Sequence, residues 1–342
     1  MHNSYYIPKN SKAAVLPAYN PNLIRAIIGF KIEERKISQL KSDEVLIKIA
    51  AAPINPSDIA FIQGGYNVIK PLPAVPGFEG SGTVVQTGSE AKSLLGKRVS
   101  CFTQDNGDGT WAEYLVTYAK NCIELKDEIS FEQGACIAIN PFTAFGLFEL
   151  CRKKKSKAFI QNAAGGQLAG FLRLLAKNVG IETINIVRKN NQLNILKEKG
   201  EKYILDSSSE NFQTDLKEMA NELQANIAFD AVGGDMTSML MKAMPQKSEV
   251  VVYGGLSGKD ISGISTLELI FQDKKLSGLN LNEWIASKSL SELQYISNEI
   301  QGKIINEDFQ TAIQASFGLD EIVQGIRVYI KSMSDGKVLL KP

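Results

Sequence analysis

Histidine is almost missing from this chain: of 342 residues one is histidine, His2, next to the amino terminus. That scarcity excludes every mechanism that needs an interior imidazole. A histidine base, an imidazole proton relay, a Cys/His nucleophile pair and a His-containing zinc site all go with it. Cysteine is sparse as well. Cys101, Cys122, Cys136 and Cys151 stand 21, 14 and 15 residues apart. Such spacing forms neither a zinc knuckle nor a disulfide framework, and a reduced cytoplasmic compartment is the simplest expectation. No apolar run exceeds strand length, so no membrane-spanning helix is expected. Neither sign of charge is in excess, with 38 Lys and Arg against 37 Asp and Glu. A balance this close to neutral argues against a dedicated nucleic-acid or membrane-surface protein. The opening MHNSYYIPKNSK lacks an apolar core and is not Arg-rich, so neither a secretory signal nor a transit peptide is expected.

What is present is a globular composition, 44% hydrophobic and 22% charged, in a chain too long for one ordinary core. Residues 12–130 hold short alternating runs, such as 45–50 and 83–86, punctuated by Pro and Gly. That pattern predicts a small antiparallel, barrel-like β domain. Residues 131–150 are helical in pattern, with a restart expected at Asn140–Pro141 because proline suits a first helical turn. From 158 onward strands alternate with helices. Strands are expected at 158–161, 183–187, 203–205, 227–231, 250–253 and 276–281. Helices are expected near 166–178, 191–199, 210–224, 235–244 and 266–272. The fold class is therefore α/β, with a doubly wound parallel sheet. The expected domains are 1–130, 131–282 and a last segment, 283–342, that returns to the first domain through a strand at 338–341. The basic run RKKKSK at 152–157 precedes the first parallel strand. It therefore lies at the strands' amino ends, away from ligands, and reads as a solvated connection.

Residues 158–190 carry the most information. They read as an apolar strand, the turn NAAGG, a helix and a second strand ending at Arg188. A glycine turn opening onto a helix N-terminus presents unpaired N–H groups to a pyrophosphate. An acid after the second strand would bind the ribose 2′-OH of NAD, whereas an Arg suits the 2′-phosphate of NADP. Here Arg188 and Lys189 follow, and Arg188 stands 22 residues beyond Gly166. NADPH is the expected cofactor.

Seven collinear blocks resemble one family: INPSDIAFIQGGY at 54–66, INPFTAF at 139–145, IQNAAGG at 160–166, TINIVR at 183–188, DAVGG at 230–234, VYGGL at 252–256 and LIFQDKKLSGLNLNEW at 269–284. The chain resembles the zinc-free medium-chain dehydrogenase/reductases. Within them it is most similar to mitochondrial-type trans-2-enoyl-thioester reductases, next to quinone oxidoreductases. The resemblance implies a GroES-like catalytic domain, a Rossmann domain for NADPH, and a homodimer joined edge to edge at 276–281. Ala163, Gly166 and Ala169 fill the superfamily's Ala-x-x-Gly-x-x-Gly/Ala turn, with Gly165 and Leu168 beside them. Gln167 departs from the glycine common there and would crowd the pyrophosphate. The resemblance also implies that Tyr253, Gly254, Gly255, Leu256, Leu279, Asn280 and Leu281 flank the nicotinamide. It sets Asn140 and Thr143 near the same ring and Lys337 near the cofactor. The positions of the zinc branch's Cys and His ligands hold Asn55 and Phe78, so no metal is expected.

Without a metal, an isolated carbonyl is a poor hydride acceptor, because its alkoxide needs a Lewis acid or a strong acid. An activated C=C is a better one: the hydride goes to Cβ, the charge spreads into an enolate, and one acid protonates Cα. With no histidine to serve, the resemblance assigns that acid to Tyr66, presented by Gly64 and Gly65. Asn55 and Asp58 are candidates to orient the site, with helix capping the preferred reading of Asp58. Trp284 is either a wall of the acyl pocket or simply core. The expected substrates are enoyl thioesters on coenzyme A or an acyl-carrier protein, with quinones or small enones as the alternative.

Overall fold

Strands buried on both faces read as unbroken apolar runs, whereas strands buried on one face alternate. The two patterns occupy different parts of this chain. The computed structural model describes residues 7–188 and 190–342, so His2 and Lys189 lie outside the described residues. The chain divides into one unit formed by residues 1–139 and 297–342 and a second formed by residues 140–296.

In the second unit the described residues form a six-stranded sheet. Its order is Tyr203–Asp206, Glu182–Val187, Ala158–Gln161, Ile227–Asp230, Glu249–Val252 and Lys275–Gly278. Every pairing is parallel. The two central strands, AFIQ and IAFD, are buried along their whole length. The chain starts in the middle, winds outward to Tyr203–Asp206, then returns to the other side of its first strand. The order therefore reverses between Ala158–Gln161 and Ile227–Asp230. A crevice opens at the carboxyl ends of strands at such a reversal, and ligands bind there. Five helices alternate with the strands: Gln167–Lys177, Asn190–Glu198, Phe212–Glu222, Asp235–Ala243 and Thr266–Phe271.

The first unit is built on a seven-stranded sheet among the described residues. Ile313–Phe317, Lys337–Leu340, Glu44–Pro53, Glu79–Thr87, Arg98–Phe102 and Cys122–Glu124 follow one another, and Tyr114–Tyr118 pairs with Glu44–Pro53. All but the first pairing are antiparallel. The carboxyl-terminal strand closes on the long strand through Leu339 opposite Pro53. The core beneath holds Trp111, Phe61 and Phe78, all fully buried.

The helical pattern at 131–150 restarts where expected: it is two helices, Phe131–Gly134 and Asn140–Lys153, with Pro141 in the first turn of the second. Other details depart from the sequence reading. The first boundary falls at 139/140 rather than 130/131, because residues 131–139 are fastened to the barrel-like unit. Ser81 Oγ donates to the Phe131 carbonyl, and the Arg98 guanidinium lies 4.5 Å from the Phe131 ring centroid. The second boundary falls at 296/297 rather than 282/283, because Trp284 and Lys288 bind back onto the helix Asn140–Lys153. The strand expected at 276–281 ends at Gly278, where Asn280 caps the helix Leu281–Ala286. Among the described residues no helix is long and apolar enough to cross a membrane.

Candidate active site

The glycine turn lies at the strand-order reversal of the parallel sheet. After Gln161 the chain turns through Ala163, which has a φ of +48°, and Gly166 N–H donates to the Ala163 carbonyl at 2.9 Å. The helix Gln167–Lys177 starts at once, and its N-cap, Gly166, offers no side chain to the first turn. The first-turn N–H groups are thus left to a ligand, and an anion is the group that fits them. Gln167 is the first helical residue, half-buried, and its amide makes no hydrogen bond within the described residues. Leu168 is half-buried beside it. Ala169 is a packing contact: it is buried, and its carbonyl accepts from Gln161 Nε2 at 3.3 Å. Gly165 has a neighbour that sequence did not suggest, since a Cβ there would stand 2.9 Å from the Gln192 side chain.

Two buried networks brace this turn. Asn162 Nδ2 donates to Asp230 Oδ1 at 2.5 Å, and Ala231 N–H donates to Asn162 Oδ1 at 2.7 Å. The same Asp230 oxygen accepts from the N–H groups of Val232 and Gly233, and Thr237 Oγ1 donates to Oδ2. The loops after the two central strands are thereby locked together. On the other side Arg173 Nη1 donates to the Ala164 carbonyl at 2.7 Å, and Arg173 Nε pairs with Glu201 at 3.1 Å. Ala164 N–H in turn donates to the Ile186 carbonyl at 3.1 Å, so the turn is fixed to the second strand as well. Asn162 and Asp230 stand in the blocks IQNAAGG and DAVGG, whereas Arg173, Glu201 and Thr237 belong to no such block and were not legible in the sequence.

Arg188 follows the second strand directly, is exposed, and makes no ion pair among the described residues. Tyr253, Gly254, Leu279 and Asn280 line one open hollow of about 440 Å³ at the carboxyl ends of the last two strands, with Val252, Gly278 and Glu283. A Cβ on Gly254 would meet the Ala231 carbonyl at 2.8 Å, so only glycine fits there, whereas Gly255 faces open space. Leu256 is exposed, and its N–H bonds the Ala231 carbonyl. Asn140 begins the helix on which Thr143 is buried. Asn280 also caps a helix, its Oδ1 accepting from Asn282 N–H at 2.9 Å, and Leu281 is the first residue of that helix. Trp284 packs edge-on against Phe142 with ring centroids 6.5 Å apart, and its indole N–H donates to Glu149 at 3.0 Å. Glu149 also takes Lys153 and Lys288, and with its three donors its carboxyl is held down to about 2 against the opposing effect of burial. Trp284 is half-buried on its helix, a position that fits a pocket wall and a packing residue alike.

In the first unit Tyr66 stands just past the short helix Pro56–Ile62, which the capping reading of Asp58 anticipated but whose span the sequence did not show. Asn55 and Asp58 form its capping box: Asn55 N–H donates to Asp58 Oδ2 at 2.8 Å. Gly64, with a φ of +75°, turns the chain toward Tyr66 in the left-handed region that favours glycine. The Tyr66 ring lies against Phe78, centroids 5.2 Å apart and planes at 33°. Gln104 Nε2 donates to Tyr66 Oη at 3.0 Å. Burial raises the phenol, the Gln104 bond opposes it, and the Asp58 charge adds to the rise, so the net shift is upward. Tyr66 therefore keeps its proton at neutral pH.

Beneath Tyr66 lies a buried charge cluster. Asn55 Nδ2 donates to Glu79 Oε1 at 3.0 Å, and Lys337 Nζ donates to Asn55 Oδ1. Phe78 N–H donates to Asp58 Oδ1 at 3.2 Å, and Ile139 N–H to Glu79 Oε2 at 3.0 Å. Burial raises Asp58 to about 7, against the pull of its backbone donors, and burial also raises Glu79 against the nearby Lys337 charge. Lys337 was expected near the cofactor. Its ammonium is buried inside the first unit on Asn55, where it answers two carboxyls. Asn55, a candidate to orient the site, is buried at the centre of this cluster. Among the described residues no group of three or more His, Cys, Asp or Glu is placed to hold a metal ion.

Comparison with known proteins agrees with this division. Residues 41–127 match the alcohol dehydrogenase GroES-like domain, and residues 170–295 match the zinc-binding dehydrogenase family. The mitochondrial enoyl-[acyl-carrier-protein] reductase of Rattus norvegicus is 30% identical over 325 residues, covering 86% of each chain. The structure of a candidate NADPH:quinone reductase from Mesorhizobium loti has a TM-score of 0.91 and 32% identity over 99% of this chain and all of that one. An Etr1p/NADP/crotonyl-CoA complex shares the fold, with a TM-score of 0.77 and 22% identity over 97% of this chain and all of that one. One sequence expectation is corrected here. The cytoplasmic assignment rested on reduced cysteines and an unremarkable amino terminus, and it is overturned by relatives that are mitochondrial by name. Reduced thiols do not distinguish the two compartments.

Proposed function

This chain belongs to the medium-chain dehydrogenase/reductase superfamily of nicotinamide-dependent oxidoreductases, and from that premise we propose that it reduces trans-2-enoyl thioesters with NADPH. The observation that carries the reading is Tyr66, a phenol kept protonated and packed on the phenylalanine that replaces a zinc ligand. Bound NADPH would supply hydride to Cβ of the enoyl group. The first-turn N–H groups of Gln167–Lys177 would hold its pyrophosphate, Arg188 its 2′-phosphate, and the hollow beside Tyr253 and Leu279 its nicotinamide end. Tyr66 gives its proton to Cα as the enolate collapses, and no metal is required because the enolate spreads the charge. The thioester is carried by coenzyme A or by an acyl-carrier protein.

A second reading, NADPH:quinone or small-enone reduction, is favoured by the 32% identity to the Mesorhizobium loti protein. One experiment separates them: turnover of crotonyl-CoA and of a benzoquinone, each with NADPH and with NADH, by wild type and Arg188→Ala. The expected result is faster turnover of crotonyl-CoA, with NADPH preferred. Loss of charged hydrogen bonds of about 1.5–3 kcal/mol should raise the variant's KM for NADPH roughly 10- to 100-fold and spare NADH. Faster turnover of the quinone would favour the second reading. Equal effects on both cofactors would remove Arg188 from the 2′-phosphate.

We also propose a homodimer joined at the edge strand Lys275–Gly278. That strand ends the sheet, and beside it Leu267, Ile270 and Phe271 of the helix Thr266–Phe271 are exposed, Phe271 by 75%. An open edge next to an apolar patch is a surface that a second copy would cover. Wild type should sediment as a dimer and Ile270→Lys/Phe271→Glu as a folded monomer. A monomeric wild type at micromolar concentration would end the idea.

A further inference from the structure

We infer that Gln104 is a positioning residue for the proton on Tyr66, an inference that rests on Tyr66 being the acid. Gln104 belongs to no motif that marks this family in the sequence. It lies in the loop after the strand Arg98–Phe102.

Three contacts close a ring around the phenol. The Tyr66 ring lies on the Phe78 ring, Phe78 C=O accepts from Thr103 N–H at 2.8 Å, and the next residue, Gln104, donates from Nε2 to Tyr66 Oη at 3.0 Å. The two loops are stitched a second time four residues on, where Lys70 Nζ donates to the Gly107 carbonyl at 2.6 Å. Thr103 and Lys70 are both buried. Gln104 is thus held against Tyr66 by backbone and side-chain bonds of the fold rather than by a chance surface contact.

The sense of the bond matters. A phenol has one proton to donate and lone pairs to accept with. An amide N–H on the oxygen occupies a lone pair and directs the O–H elsewhere, toward a substrate. When the proton leaves for Cα, the phenolate that remains is partly buried and close to the Asp58 carboxyl, both of which oppose the charge. The Gln104 N–H then becomes a charge-assisted donor to that phenolate, and such bonds are roughly twice as strong as neutral ones. Gln104 would act on the acid in both states: it aims the proton first and meets the charge afterwards. The other charged groups near the ring are Asp58 and, over the Phe78 ring, the Lys70 ammonium 5.9 Å from its centroid.

The test uses the full chain with NADPH and crotonyl-CoA. Gln104→Leu should lower kcat about tenfold or more, the scale of a lost bond to a charged group, leave KM for NADPH unchanged, and move the alkaline limb of kcat to higher pH. Gln104→Glu should lower kcat further, because a carboxylate only accepts and would draw the phenol proton toward itself. In a Tyr66→Phe background neither change should have an effect. If Tyr66→Phe is slow while Gln104→Leu keeps wild-type kcat and pH profile, Gln104 has no such role and Tyr66 stands as the acid. If Tyr66→Phe turns over at the wild-type rate, the reading of Tyr66 fails and this inference with it. Effects of Gln104 that persist in the Tyr66→Phe background would also overturn it.

Discussion

Tyr66→Phe should lower kcat for crotonyl-CoA by roughly 10²–10⁴, the usual contribution of a general acid. The ring would keep its packing on Phe78, because phenylalanine has the same shape, and only the hydroxyl and its Gln104 bond would be lost. NADPH affinity should be unchanged, since the glycine turn, Arg188 and the hollow beside Tyr253 all belong to the other unit. Stopped-flow mixing with NADPH followed by steady-state kinetics measures both quantities. A variant that binds NADPH normally and turns over normally would leave the chain without an assigned acid. No histidine stands among the described residues to take its place.

The second large effect is on stability. Lys337→Met should destabilise the first unit by about 3–5 kcal/mol, the cost of removing one partner from a buried charged set. In a unit of this size that is a fall in Tm of roughly 6–20 °C. The cause is specific. Lys337 is the cation facing two fully buried carboxyls, Asp58 and Glu79, through Asn55. The chain has two tryptophans, and each unit holds one, Trp111 in the first and Trp284 in the second. Their fluorescence can report the two unfolding transitions separately, and only the Trp111 transition should move. The loss should also depend on pH. Asp58 is raised from 3.8 to about 7, so the folded state binds a proton that the unfolded state has released across that window. The stability contributed by that proton is complete below the ordinary carboxyl value and is lost as pH rises through about 7. Wild-type Tm of the first unit should fall between pH 5 and pH 8. The deficit of Lys337→Met should be larger at pH 8, where both carboxyls are pressed to ionise without their cation. A loss of NADPH affinity with an unmoved Trp111 transition would instead return Lys337 to the cofactor.

The strands and helices of the parallel sheet were legible because their signals are local. An apolar run bounded by Gly or Asn, such as AFIQ before NAAGG, shows its period and its ends within a few residues. The glycine turn and Arg188 were legible for the same reason, as a fixed spacing along one strand–turn–helix unit. The span of the short helix Pro56–Ile62 was not, because seven residues between Pro and Gly clusters show too few turns to reveal a period. The bond of Lys337 to Asn55 was not legible because the two are far apart in sequence: Asn55 precedes it by 282 residues.

The sequence by itself determined that histidine stands at position 2 alone, that Asn55 and Phe78 stand where the resemblance implies zinc ligands in other branches, and that a glycine turn opens onto a helix at Gly166. Each of these depends on residue type or on short spacing. Only the tertiary structure decided what surrounds them. It brought Gln104 onto Tyr66, Arg173 and Glu201 behind the turn, and Lys337 beneath Asn55. A buried polar group must find a partner, and in a folded chain that partner comes from whichever strand or loop lies nearest in space, at a sequence distance no local pattern records.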